Sequence, residues 1–349
     1  MSEKFLQNTW YMAAFSHELA SGLLARKIVD IALVMFRDPA GNPQALLDRC
    51  PHRFAPLSKG VLTESGVQCG YHGLTFAGDG SCSGSLLEPK VPKACRVRSF
   101  PLVERGGMLW LWPGDPDLAD ESLLVDTSVI DPQHLRIVSG LLPVKANYLM
   151  LSDNLLDLTH ATFLHPDFGG ELYRPEHSVQ FEGNEVHSNY LVRDIPNPEK
   201  SDGFMCTNGQ NVDMWDDAHW FSPGVVVLDS GNVTTGRPRE DGLSIPAVHF
   251  FTPETEHTTH YFWISGLAHS SPGNDQDLAD LLGKAFVEED APMIEAAYAQ
   301  MSSSALFEHN PVLLKFDSAA VRARRIVQQQ IDAEAQAALI PAAIACASH

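Results

Sequence analysis

Cys50-Pro51-His52, then sixteen residues, then Cys69-Gly70-Tyr71-His72-Gly73: each of these two short stretches joins one thiol to one imidazole. The pattern decides the first part of the fold, because paired ligands on two loops must be brought side by side by the segments around them. Two thiolates on one iron and two imidazoles on the other would hold a [2Fe–2S] cluster. Exchanging two thiolates for neutral imidazoles removes negative charge from such a cluster and raises its potential. Tetrahedral zinc accepts the same donors. Zinc fingers, however, pair Cys with Cys and His with His, whereas each stretch here carries one of each. Four unrelated residues are the third reading.

Working outward, the first 37 residues read as short strands and a turn, with Trp10-Tyr11-Met12-Ala13-Ala14 as the first apolar run. Residues 40–113 are rich in Gly, Pro and Ser and carry brief apolar runs such as Leu74-Thr75-Phe76 and Met108-Leu109-Trp110-Leu111-Trp112. Short strands between turn signals predict a small all-β domain. Trp112-Pro113-Gly114-Asp115-Pro116-Asp117 is dense in breakers, so the first domain is expected to span 1–118.

The rest mixes types. Asn147 to His160 reads as one helix, Gln180 to Arg193 and Ala247 to Trp263 as strands, and Asp275 to Met301 and Ser318 to Ala335 as helices, with a kink or break expected at Pro292. This order predicts an α+β protein: the small β-domain, then a catalytic domain of helices on a mainly antiparallel sheet over 119–335. The Ala-rich segment 336–349 is expected to be a disordered tail.

The helix from Asn147 to His160 carries a second candidate site. Asn154, Asp157 and His160 recur at steps of three and share one face, and His165 follows just before Pro166. Two imidazoles so placed can take adjacent corners of one metal, and a carboxylate would complete the facial triad of non-haem Fe(II) oxygenases. In the late helix, Leu282, Phe286, Asp290, Met293 and Ala297 form one apolar stripe with Asp290 on it, whereas Glu288 and Glu289 fall off it. A buried carboxylate is costly unless something such as a metal satisfies it. The competing reading starts a new helix at Pro292, with Asp290 merely near its N-terminus.

The 24 Lys+Arg against 44 Asp+Glu give a formal charge of −20, which disfavours polyanionic partners such as nucleic acid or anionic membrane. Six cysteines are too few for a disulfide scaffold. Cys82, Cys95, Cys206 and Cys346 have no paired spacing and read as core or surface thiols. No signal-peptide pattern or membrane-length apolar run is visible, so a reducing, cytoplasmic location is expected.

At Cys50, His52, Cys69 and His72 the sequence resembles a Rieske domain. Neither loop carries the extra cysteine of respiratory Rieske proteins, which points to the oxygenase or ferredoxin branch. Asp153, Asp157, His160 and His165 also match the Asp-x3-Asp-x2-His-x4-His pattern of Rieske non-haem iron oxygenases. The resemblance runs from Asn8-Thr9-Trp10-Tyr11 to Arg322-Ala323-Arg324-Arg325. It includes the oxygenase subunits of vanillate O-demethylase and dicamba monooxygenase, which the chain resembles through Pro51-His52-Arg53-Phe54-Ala55-Pro56-Leu57, Asp153-Asn154-Leu155-Leu156-Asp157-Leu158-Thr159-His160 and Thr252-Pro253-Glu254-Thr255-Glu256.

The resemblance implies a Rieske [2Fe–2S] cluster on the four ligands and a mononuclear non-haem Fe(II) on His160, His165 and Asp290. It also implies a homotrimer in which His72 of one subunit meets Asp157 of the next, with Asp157 hydrogen-bonded to His160 and Asn154 beside the ligands. The implied reaction is O-demethylation of a methoxybenzoate such as vanillate, with O2, release of formaldehyde and electrons from a separate NAD(P)H-dependent reductase. Hydroxylation of a ring or methyl group, N-demethylation, and pure electron transfer as a Rieske ferredoxin are the alternatives. His249 falls where the dicamba enzyme places a substrate contact, which implies a partner for a carboxylate or phenol; the competing reading is a plain sheet histidine. Leu228 and Leu281 replace two other contacts of that enzyme, which argues against dicamba itself.

Overall fold

The computed structural model describes residues 4–20, 22–85, 90–166, 175–197, 204 and 209–346. Cys206 lies outside them. Two compact units emerge, Met1–Leu124 with Ala337–His349, and Val125–Gln336.

In the first unit the turn-rich sequence forms short strands in small antiparallel sheets. β1 (Tyr11–Phe15), β10 (Leu102–Arg105) and β11 (Met108–Leu111) make one sheet, in the order β1-β11-β10. A second contains β2 (Leu24–Ile28), β3 (Ile31–Arg37), β4 (Pro43–Leu47) and β9 (Ser99–Phe100). The third contains β5 (Val61–Thr63), β6 (Gly66–Gln68), β7 (Leu74–Phe76) and β8 (Cys82–Ser85). Val34, Phe36, Leu46, Leu57, Val67 and Phe76 pack into a core that also takes in the thiols of Cys50 and Cys69.

The division between units falls after Leu124 rather than after residue 118. Two short 3-10 turns, Pro116–Leu118 and Glu121–Leu123, extend the first unit, and side chains tie them to it. The Trp10 indole donates to the Asp120 carbonyl at 2.8 Å, and Arg105 pairs with Glu121 at 2.9 Å.

The second unit is built on a seven-stranded antiparallel sheet in the order β12-β18-β17-β16-β15-β14-β13. The strands are β12 (Leu135–Val144), β13 (Glu176–Glu182), β14 (Glu185–Pro196), β15 (Asn211–Phe221), β16 (Val225–Thr234), β17 (Leu243–Thr255) and β18 (Thr258–Ala268). Successive hairpins carry the chain across from β13 to β18, and β12 closes beside β18. Gln180–Arg193 and Ala247–Trp263 each span one of those hairpins rather than a single strand.

Helices α1 (Tyr148–Leu156) and α2 (Ala161–Leu164) leave the sheet after β12. The Trp220 indole donates to the Ser152 hydroxyl at 3.2 Å, and the hydroxyls of Ser188 and Tyr190 donate to the Leu156 carbonyl at 2.9 and 3.1 Å. These bonds pin α1 to one face of β14 and β15 and define the inner face of the sheet.

The expected helix from Asn147 to His160 is interrupted at Asp157, which adopts φ −120° and ψ 91°. Its carboxylate accepts from the Thr159 amide at 3.0 Å and from the Thr159 hydroxyl at 2.6 Å, capping the next turn, Leu158–His160. The side-chain cap competes with helix continuation, a known habit of aspartate.

Of the kink or break expected at Pro292, the late helical segment shows no break, and its irregularity falls just ahead of that residue. α3 (Asp275–Gly283) runs into a π-helical segment, Lys284–Asp290, and then α4 (Ala291–Tyr298). Pro292 has no N–H to give, and the wider turn stands just ahead of it. The π segment rotates the stripe that follows it: Leu282, Phe286 and Asp290 are buried, but the stripe continues through Ile294, while Met293 is 57% exposed. Ala297 is exposed as well. α5 spans Ser318–Cys346, so most of the expected disordered segment 336–349 is helical. Its alanines have the highest helix propensity of any residue.

Candidate metal centres and substrate pocket

The two Cys/His loops are copies of one local design. The Cys50 amide donates to the Ala55 carbonyl and the Phe54 amide to the Cys50 carbonyl, both at 2.9 Å. In the second loop the Cys69 amide donates to Leu74 at 2.8 Å and the Gly73 amide to Cys69 at 3.0 Å. The residue four after each cysteine is left-handed, Phe54 at φ 61° and Gly73 at φ 72°. Glycine takes that conformation freely; phenylalanine does not, and the Arg49 guanidinium lies 4.1 Å from its ring centroid.

Cys50 and Cys69 are each 2% exposed, whereas His52 is exposed and His72 half-buried. The His52 and His72 rings lie 4.5 Å apart. Burial pushes the Cys50 thiol up, the neighbouring Cys69 adds to this, and the His52 and Arg53 amides oppose it. Two adjacent buried thiols with backbone donors, and two neighbouring imidazoles toward solvent, are a donor set that would hold a [2Fe–2S] cluster.

The structure brings His160, His165 and Asp290 together, with one donor atom from each within 4.8 Å of the others. His160 Nε2 lies 3.4 Å and His165 Nε2 3.3 Å from Asp290 Oδ1. Ligand atoms on adjacent corners of a metal with bonds of roughly 2.1 Å are about 3 Å apart, so the site needs only slight closure around an ion. The other ring nitrogens fix the imidazoles. His160 Nδ1 is 2.7 Å from the Asp157 backbone carbonyl. A carbonyl can only accept, so Nδ1 carries the proton and Nε2 presents its lone pair. His165 Nδ1 donates to Glu289 Oε2 at 2.8 Å, with the same consequence.

Asp290 is 3% exposed and comes from the π-helical turn. Burial alone would raise its carboxyl, but with no metal bound the protonated imidazoles of His160 and His165, through hydrogen bonds and charge, outweigh this and hold it well below the usual carboxylate range. The Asn154 amide donates to Asp290 Oδ1 at 3.2 Å and lies 3.4 Å from His160 Nε2. His160 is 23% exposed against 4% for Asp290, so His160 is the member of the pair that solvent reaches. Two imidazoles, one carboxylate and open positions make the donor set of a non-haem Fe(II) centre.

Two expectations need correction here. His160 is held by the backbone carbonyl of Asp157, because the Asp157 carboxylate is engaged with Thr159. Glu289, off the stripe in the sequence, contacts His165 because the π turn brings consecutive residues Glu289 and Asp290 to one site. Asp153 sits below the centre: Arg324 of α5 grips both of its oxygens, at 2.6 to 2.9 Å, and so anchors α1.

The inner sheet face carries two further titratable side chains, His249 and Asp216. His249 is fully buried, opposite Val226 and Trp263 in register, with Phe286 edge-on at 5.3 Å. Burial pushes its imidazole down to about 3, so it is neutral. His249 Nδ1 is 2.8 Å from the Tyr261 hydroxyl, and Nε2 has no partner among the described residues. Leu228, two positions beyond Val226, shares this face, and Leu281 is 9% exposed on α3. Asp216 also lies on this face, across from Ser230. Burial pushes its carboxyl up to about 6; the Ser230 bond and the charge of His160 lower it, and Asp217 and Asp229 raise it. Nothing local in the sequence marks Asp216; only the strand register places it on this face.

Residues 9–101 match the family model described as the Rieske [2Fe-2S] domain, and residues 144–333 match the vanillate O-demethylase oxygenase C-terminal domain. Among curated proteins, the oxygenase component of dicamba O-demethylase from Stenotrophomonas maltophilia is 36% identical over 95% of this chain and 99% of its own length. The oxygenase component of chloroacetanilide N-alkylformylase from Rhizorhabdus wittichii is 33% identical over 95% of this chain and 97% of its own. A crystal structure of dicamba monooxygenase bound to 3,6-dichlorosalicylic acid superimposes with a TM-score of 0.87 at 35% identity, over 95% of this chain and 99% of the other.

Proposed function

The chain belongs to the Rieske non-haem iron oxygenases, as the oxygenase component of a monooxygenase system fed by a separate reductase, and on that footing we propose that it O-demethylates a small methoxybenzoate of the vanillate type. Cys50, His52, Cys69 and His72 hold the cluster; His160, His165 and Asp290 hold the iron. The observation that carries this reading is the convergence of His160 Nε2, His165 Nε2 and Asp290 Oδ1, with both Nδ1 protons already engaged.

When bound, the cluster would supply electrons one at a time and the iron would supply the chemistry that activates O2. One methyl ether, O2, two electrons and two protons become a phenol, formaldehyde and water, by way of a hemiacetal that collapses. The chain's own residues set the stage. His249 Nδ1 pairs with the Tyr261 hydroxyl at 2.8 Å, which leaves the neutral ring's Nε2 as the nitrogen for a substrate oxygen. Leu228 and Leu281 give an apolar bed for the ring. Asn154 steadies Asp290, and Asp157 orients His160 through its carbonyl.

The enzyme works in the cytoplasm as a homotrimer, in which Asp157 links His160 to His72 of the neighbouring subunit and carries the electron route. Mixing reduced protein with O2 and a panel of methoxylated benzoates and phenols tests the reaction. Formaldehyde formed in step with a new phenol supports O-demethylation. Hydroxylated product without formaldehyde moves the reaction to ring or methyl hydroxylation, and formaldehyde only from N-methyl compounds moves it to N-demethylation.

A further inference from the structure

We propose that Glu185, His187 and His219 form a second metal site, for a divalent transition ion such as zinc, on the outer face of the sheet. His187 on β14 and His219 on β15 stand directly opposite each other in register, and their rings stack with centroids 3.7 Å apart. Glu185 precedes His187 by two residues and so shares its face. Its Oε2 lies 2.7 Å from His219 Nε2, and one donor atom from each of the three residues falls within 4.8 Å of the others.

Strand alternation places this cluster on the opposite side from the iron centre. Ser188, Tyr190 and Trp220 turn inward to bond α1, so Glu185, His187 and His219 turn outward. All three are half-buried, on paired strands rather than loops. Two imidazoles and one carboxylate are a donor set that zinc accepts with a fourth position left for water. Stacked rings bring their nitrogens close, and rotation about the soft terminal χ2 torsion lets them converge on one ion. Glu182, opposite Glu185 across the β13–β14 hairpin, adds negative charge at the same end. An ion here would clip β14 to β15 and stabilise only the folded sheet.

The test uses iron-loaded protein, incubated with zinc chloride, desalted, and measured for zinc and iron per chain and for thermal melting. About one zinc per chain with unchanged iron, and a zinc-dependent rise in Tm, are expected. His187→Asn and His219→Asn should lose both effects, and Glu185→Gln should lose most of the zinc. All three variants should keep full iron content and the cluster absorption, which separates lost binding from misfolding. No zinc uptake, uptake that is equal in the wild type and the variants, or uptake matched by loss of iron would overturn the proposal.

Discussion

Replacing Glu289 with alanine removes the acceptor that holds His165 in the orientation presenting Nε2 to the metal. The bond is 2.8 Å long, and both side chains are largely buried, at 8% and 15% exposure. Lys284 lies 3.5 Å from the other Glu289 oxygen and holds the carboxylate in place. Loss of a partner behind a metal-bound histidine costs about 10- to 100-fold in metal affinity or activity, or roughly 1.4–2.7 kcal/mol. Glu289→Ala should fall at the upper end. Glu289→Gln keeps an acceptor oxygen but loses the charge, and a neutral bond is about half as strong, so it should fall near tenfold. The assay is Fe(II) affinity of the mononuclear site against a competing chelator, with cluster absorption as the control for folding. Equal affinity in wild type, Gln and Ala would refute the role assigned to Glu289.

Arg324→Met strands Asp153 beneath the metal helix; at 21% exposure of Asp153 the cost is expected at about 3 kcal/mol, read as a lowered denaturation midpoint. Asp216 has a folded-state carboxyl raised from 3.8 to about 6, so its protonated form is favoured by folding, and its cost appears as pH rises from about 4 and is complete above about 6. Asp216→Asn should therefore stabilise the protein by up to about 3 kcal/mol at pH 7–8 and by little at pH 4; pH-independent melting differences would contradict this. Asp157→Asn should retain cluster and iron yet lose turnover with the reductase, and unchanged turnover would remove Asp157 from the electron route.

The cluster loops were legible because the ligands sit next to each other in sequence and each loop needs only local bonds. His160 and His165 were legible for the same reason, although the helix drawn through them breaks at Asp157, where the carboxylate caps the following turn. The burial of Asp290 was legible in an apolar stripe that holds up to that residue. Beyond it the π-helical turn moves the stripe to Ile294 and brings Glu289 to His165, and no periodicity of 3.6 encodes such an inserted residue. Asp216 and the Glu185–His187–His219 cluster depend on strand register between segments far apart in sequence, which alternation within one strand does not give.

The central claim is that His160, His165 and Asp290 hold an iron separate from the cluster, and metal analysis tests it most directly. The wild-type chain should contain about three irons and two acid-labile sulfides, while Asp290→Ala and His160→Ala should each contain about two irons with the sulfide unchanged. Three irons retained in both variants, or a parallel loss of iron and sulfide, would contradict the account.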